Sequence, residues 1–170
     1  RLTFRQAYRM PVVWLFAIAV SFSAAVEGGF GNWALLYLKD VHGLDPVTTG
    51  ASYIALFYTV FSLSRLLSGL VLERVGYVRS LAIGTVCVIT LYVAGFALGL
   101  RGIWILPFAG LFIALYVPTQ LAIMMKTFGL DSTLLISAGT IVSSLLSALF
   151  QGLIGLINAH VGEAWGFRSL

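Results

Sequence analysis

The sequence predicts an all-α membrane protein, with five complete transmembrane helices and the start of a sixth. Three observations predict it. First, 60% of the 170 residues are hydrophobic and 9% are charged, with a mean hydropathy of +1.02. A soluble domain carries about 25% charged residues, so this composition suits lipid. Second, five apolar runs are each long enough for the roughly 20 residues a helix needs to cross a bilayer. Third, the runs do not alternate and exceed the roughly ten residues of a barrel strand.

A polar, basic stretch, residues 1–11, opens the chain as a cytoplasmic linker. The transmembrane domain, 12–170, follows. The first run is Val12–Leu38, with Glu27 as its one charge, and the second is Val47–Leu72, with Arg65 as its one charge. The third, Ser80–Leu100, the fourth, Gly102–Met125, and the fifth, Ser132–Ala159, carry none. The connections are short, so neighbouring helices run antiparallel. After "NAHVGE", residues 165–170 ("WGFRSL") read as an interfacial belt of Trp165 and Phe167 and the start of a sixth helix at Leu170.

Orientation follows from Lys and Arg in the loops. One side collects Arg1, Arg5, Arg9, Arg74, Arg79 and Lys126, the other Lys39, Arg101 and Arg168. This places the N-terminus in the cytoplasm, in a plasma or bacterial inner membrane.

Small residues mark where helices approach in lipid. The fifth run carries Gly139, Ser143, Ser147, Gln151 and Gly155 at every fourth position, the third has Gly95 and Gly99, and the fourth has Gly110 and Ala114.

The stretch "VEGGFGNWALLYL" (26–38) departs from this pattern. A carboxylate in hydrocarbon costs roughly 2.5–3.5 kcal/mol on insertion scales, and each interior glycine about 1 kcal/mol more than alanine. Together they predict a helix that breaks at Gly28–Gly31 and lines a polar cavity. In the fourth run, "LYVPTQ" sets Tyr116 and Gln120 beside Pro118. Gly28–Gly31 lie at positions 17–20 of the first run and Pro118 at position 17 of the fourth, which predicts two breaks related by inversion across the midplane. At 1.5 Å per residue, Glu27 lies about 22–24 Å from the inner surface and Arg65 about 10 Å, some 12–14 Å apart, so a direct pair is not expected. Arg65 reads as a structural or gating residue.

The candidate solute-binding residues are Glu27, Asn32, Trp33, Tyr58, Tyr116 and Gln120. The amides offer donors and acceptors to hydroxyls, and the aromatic rings offer faces. No cofactor or metal is expected: Cys87 is the single cysteine, and His42 and His160 fall in loops. Catalytic motifs are absent, which argues against an intramembrane enzyme. The few basic residues form no aromatic-laced block, so nucleic acid is not an expected partner.

The inner stretch "SRLLSGLVLERVGYVRSL" resembles the signature loop of the major facilitator superfamily, through Gly69, Glu73, Arg74, Gly76 and Arg79. Here Gly69 is expected to permit close helix approach, and the charged residues to latch one conformation. "VEGGFGNWALLYL" looks like the seventh span of that family's sugar-transporting branch, and "ALYVPTQLA" like its tenth. The resemblance implies half of a major facilitator fold, the C-terminal half, whose partners are the bilayer, a small solute and a six-helix N-terminal half. It implies a secondary transporter of a small polar solute, sugar-like or otherwise, working by alternating access. Glu27 would be its ion-coupling group. Drug or metabolite efflux and facilitated diffusion on the same fold remain alternatives, and a non-transporting membrane sensor is a remote one.

Overall fold

The computed structural model describes residues 2–168, so Arg1 and Leu170, placed above in the basic linker and at the start of a sixth helix, lie outside the described residues. The described chain is helical and contains no strand. Four helical stretches are long and apolar enough to span a membrane: Pro11–His42, Pro46–Val75, Tyr77–Ala97 and the 59-residue stretch Ile103–Val161, which holds the fourth and fifth apolar runs.

A short helix, α1 (Phe4–Ala7), precedes α2 (Pro11–His42). Pro11 sits at the first helical position, where its missing N–H costs nothing. The Trp14 indole donates to the Tyr8 carbonyl at 2.8 Å and ties the two helices together. α2 ends at Gly43, whose φ of 64° suits a residue without a Cβ. A π-helical turn, Pro46–Gly50, then leads into α3 (Ala51–Val75). Asp45 caps that turn, accepting from the Thr48 amide at 2.8 Å. Gly76, with φ 88°, joins α3 to α4 (Tyr77–Ala97).

The fourth run is irregular, as its prolines predict. It begins as a 3₁₀ segment, Ile103–Ala109, continues as α5 (Gly110–Ile113) and resumes as α6 (Tyr116–Phe128). Pro107 has no N–H to give the Ile103 carbonyl four residues back. The buried Tyr53 hydroxyl of α3 donates to that carbonyl instead, at 2.9 Å. At the second break the Leu115 amide turns to Phe112, and the Ser64 hydroxyl of α3 takes up the Leu111 carbonyl. The freed groups of the fourth run are therefore bonded by neighbouring side chains.

A 3₁₀ turn at Gly129–Asp131 reverses the chain into α7 (Ser132–Val161), and α8 (Glu163–Arg168) closes the described part. α7 packs along α2 through the expected small-residue face. Gly139 abuts the Phe16 ring, and Gly155 lies against Trp33. The Ser147 hydroxyl donates to the Ser21 carbonyl at 3.4 Å. Gly110 likewise lets its helix approach the Phe57 backbone, where an added Cβ would stand 3.1 Å from the carbonyl oxygen. Phe167 was expected in an interfacial belt. It is instead buried among Phe30, Tyr37 and Phe96, 4.8 Å from the Tyr37 ring centre. Trp165 is exposed.

Large apolar side chains cover the outside: Leu66, Val78, Leu145 and Leu149 are among those exposed. In water such a surface would be a liability; against lipid tails it is matched. Inside lie two apolar clusters. One gathers Phe30, Tyr37, Tyr53, Phe57 and Ile113, the other Val13, Phe16, Met124 and Leu135. Along α2 the stretch from Ser21 to Glu27 falls between them.

Candidate functional site

The expected break at Gly28–Gly31 does not occur: α2 runs unbroken for 32 residues through Glu27 and its glycines. In hydrocarbon a broken helix leaves backbone groups with nothing to bond, at several kcal/mol each, whereas the glycines cost about 1 kcal/mol apiece. Continuity wins, and the glycines serve to admit other side chains. A Cβ on Gly31 would lie 2.6 Å from the Tyr58 hydroxyl, and one on Gly28 would lie 3.2 Å from the Gln151 amide nitrogen. With α2 continuous, the inverted pair of breaks falls away too: the break lies in the fourth run alone.

Two of the glycine contacts fix which helices flank Glu27. Gly31 meets Tyr58 and Gly50 meets Leu35, which sets α2 and α3 antiparallel with Glu27 opposite residues 58–62. Arg65 follows within one to two turns, about 5–10 Å along the axis. This is closer than the sequence-based 12–14 Å. The reason is that α3 continues past Leu72 to Val75, which carries Arg65 to about 15 Å from its helix end. Arg65 is exposed and Glu27 half-buried, and no ion pair joins them among the described residues. Arg65 lies over the Phe61 ring, 5.0 Å from its centre. Tyr58, Phe61 and Arg65 share one face of α3 by helical spacing, and Tyr58 is 38% exposed. Neither Glu27 nor the Arg65 guanidinium has a hydrogen-bond partner among the described residues.

Gln151 ties α7 to this stretch. Its amide donates to the Ala25 carbonyl at 2.9 Å and accepts from the Trp33 indole at 2.9 Å. Trp33 is thus held by a helix–helix bond, while Asn32, one residue earlier, is exposed. In the sequence Gln151 is the exception within a small-residue seam, an amide that could face a cavity; in the structure it bonds two groups of α2 beside Glu27.

Tyr116 and Gln120 lie elsewhere. They line a cleft of about 380 Å³ between α2, α4 and α6, together with Ser23 and Thr85. The Tyr116 hydroxyl donates to Thr85 at 3.2 Å, and the Gln120 amide to Ser23 at 3.4 Å. The Gln120 carbonyl oxygen is buried without a partner. The cleft lining does not include Glu27, Asn32, Trp33 or Tyr58. The six candidate residues therefore fall into two groups on either side of α2, joined through Ser23, which lies one turn before Glu27.

Of the signature-like loop, Glu73, Arg74 and Arg79 are exposed at the α3–α4 corner. Gly76 is required there by its positive φ. The close approach expected at Gly69 is not seen, since an added Cβ would meet nothing within 4 Å. Comparison of the chain with protein-family models, with curated proteins and with solved structures found no match.

Proposed function

We propose that the chain is the C-terminal half of a major facilitator-like secondary transporter, which moves a small polar solute across a plasma or bacterial inner membrane by alternating access. In this reading five spans and the beginning of a sixth belong to this half, a six-helix N-terminal half completes the cavity, and the N-terminus of the chain is cytoplasmic. Glu27 couples transport to protons, and Asn32, Trp33, Tyr58, Tyr116 and Gln120 contact the solute or shape its path. Arg65 acts one to two turns from Glu27 along the helix axis. Gly69, Glu73, Arg74, Gly76 and Arg79 belong to the inner corner that latches one conformation.

One observation carries the reading. Glu27, half-buried, and Arg65, exposed, stand one to two turns apart on antiparallel helices suited to a bilayer, without hydrogen bonds of their own among the described residues. A charge inside an apolar span that serves structure alone is paired with a neighbour, because leaving it unbonded in hydrocarbon is costly. Groups left with free bonding capacity are available to a ligand.

The test is Glu27→Gln in the full-length protein, reconstituted in liposomes. Uphill, proton-driven uptake is expected to be lost while solute exchange down its own gradient survives. Undiminished accumulation by the variant would remove the coupling role. The alternative, facilitated diffusion or efflux with Glu27 as a solute ligand only, predicts no solute-linked pH change in the same liposomes.

A further inference from the structure

We infer that the solute taken beside Glu27 is a small organic anion, whose carboxylate docks on the Arg65 guanidinium once Glu27 carries a proton. The inference rests on the transport reading above and adds to it the chemical class of the solute.

The argument is one of charge balance. Glu27 and Arg65 are the single charges of the first two apolar runs, and they stand on the antiparallel helices α2 and α3, one to two turns apart along the axis. With Glu27 ionised, the two cancel. Protonating Glu27 leaves Arg65 as an uncompensated cation in a low-dielectric wall, which is costly. A monoanionic solute restores neutrality. The empty site and the site holding both proton and anion therefore have the same net charge, whereas a site holding one without the other is charged. Neutral states cross the membrane-embedded step more readily, which couples the proton to the anion without a further device. A neutral solute gives no such rule, since its loaded, protonated site would carry one positive charge.

The geometry suits this role. Phe61 supports the guanidinium from one side at 5.0 Å, leaving its forked donors free to bind a carboxylate with two parallel bonds. Gly28 and Gly31 keep α2 bare next to Glu27, and the Tyr58 hydroxyl reaches the gap at Gly31. The groups around Glu27 are accounted for by element. α3 brings Tyr58 and Arg65. α7 brings the neutral Gln151, while Gln120 and Tyr116 of α6 lie in the separate cleft, bonded to Ser23 and Thr85. Among the described residues, Arg65 is thus the cation placed to exchange Glu27 for a solute carboxylate.

The experiment uses the full-length protein and matched probes: lactate against lactamide, and glucuronate against glucose. Binding is followed by calorimetry at low and at high pH, and flux in liposomes. The carboxylate member of at least one pair is expected to bind more tightly than its neutral partner, and more tightly at low pH. Glu27→Gln is expected to keep tight carboxylate binding at every pH, because the variant imitates the protonated acid. Arg65→Gln is expected to weaken carboxylate binding about 100-fold and leave the neutral probe unchanged, with Arg65→Lys intermediate. Should Arg65→Gln fail to fold, the pH profile of Glu27→Gln decides alone. Equal binding of charged and neutral members in both pairs would overturn the inference, as would an unaltered pH profile in Glu27→Gln. The two levels separate cleanly. Proton-coupled flux of a neutral probe with no carboxylate preference sinks the anion and keeps the transporter. Carboxylate binding with no flux of any probe does the reverse.

Discussion

At the scale of single residues, the glycines of "VEGGFGNW" and the acid before them serve different ends. The carboxylate stands out in the sequence because a charge inside an apolar run costs roughly 2.5–3.5 kcal/mol on insertion scales. The glycines were legible as exceptions but not as contacts. Only the packed structure shows that Gly28 clears space for Gln151 and Gly31 for Tyr58. Asp45 offers a residue-scale test outside the spans. Its carboxylate is held below the ordinary aspartate range by the Thr48 hydroxyl first, then by the Thr48 and Val47 amides. A depressed carboxylate stabilises the fold above its unfolded value and loses that contribution as pH falls through the folded value. Thermal unfolding of the wild type against Asp45→Asn should therefore show a gap at neutral pH that closes on acidification. A gap independent of pH would mean that the cap does not titrate.

At the scale of elements, the fourth run repaid a reading of its prolines and the first run did not repay a reading of its glycines. Pro107 and Pro118 remove backbone donors outright, so the regular α-helical bond to the residue four back cannot form at either. Glycine only weakens a helix, and lipid, with nothing to bond a freed carbonyl, outweighs that weakness. What the sequence could not reveal is how the breaks are repaired, since Tyr53 and Ser64 come from another helix. Tyr53→Phe removes the one side-chain donor to the Ile103 carbonyl in a buried setting. It should cost about 1–3 kcal/mol, read as a lowered unfolding midpoint in detergent. No change would mean that the carbonyl finds another donor. The short α8 was illegible for a similar reason. Phe167 reads as an interfacial residue by composition, but Phe30, Tyr37 and Phe96 leave a hollow that its ring fills.

At the scale of the whole molecule, helix packing rather than helix breaking organises the site. Two apolar clusters flank a polar layer formed by Ser23, Glu27, Gln120, Ser147 and Gln151 around α2. The composition announced the class of solvent, and the small-residue face of α7 announced its partner surface. The division of the candidate residues into a Glu27 group and a Tyr116–Gln120 cleft depends on how α2, α4 and α6 are rotated, which no local pattern encodes. In the proposed transporter Glu27, at mid-depth of a bilayer, is reached by water and solute. The most direct measurement is labelling of Glu27→Cys, in a Cys87→Ala background of the full-length protein, by a hydrophilic, membrane-impermeant maleimide. The account predicts reaction within about tenfold of the rate at a loop cysteine, slowed by transported solute. A cysteine inert to that reagent, yet labelled readily by a lipid-soluble maleimide, would contradict it.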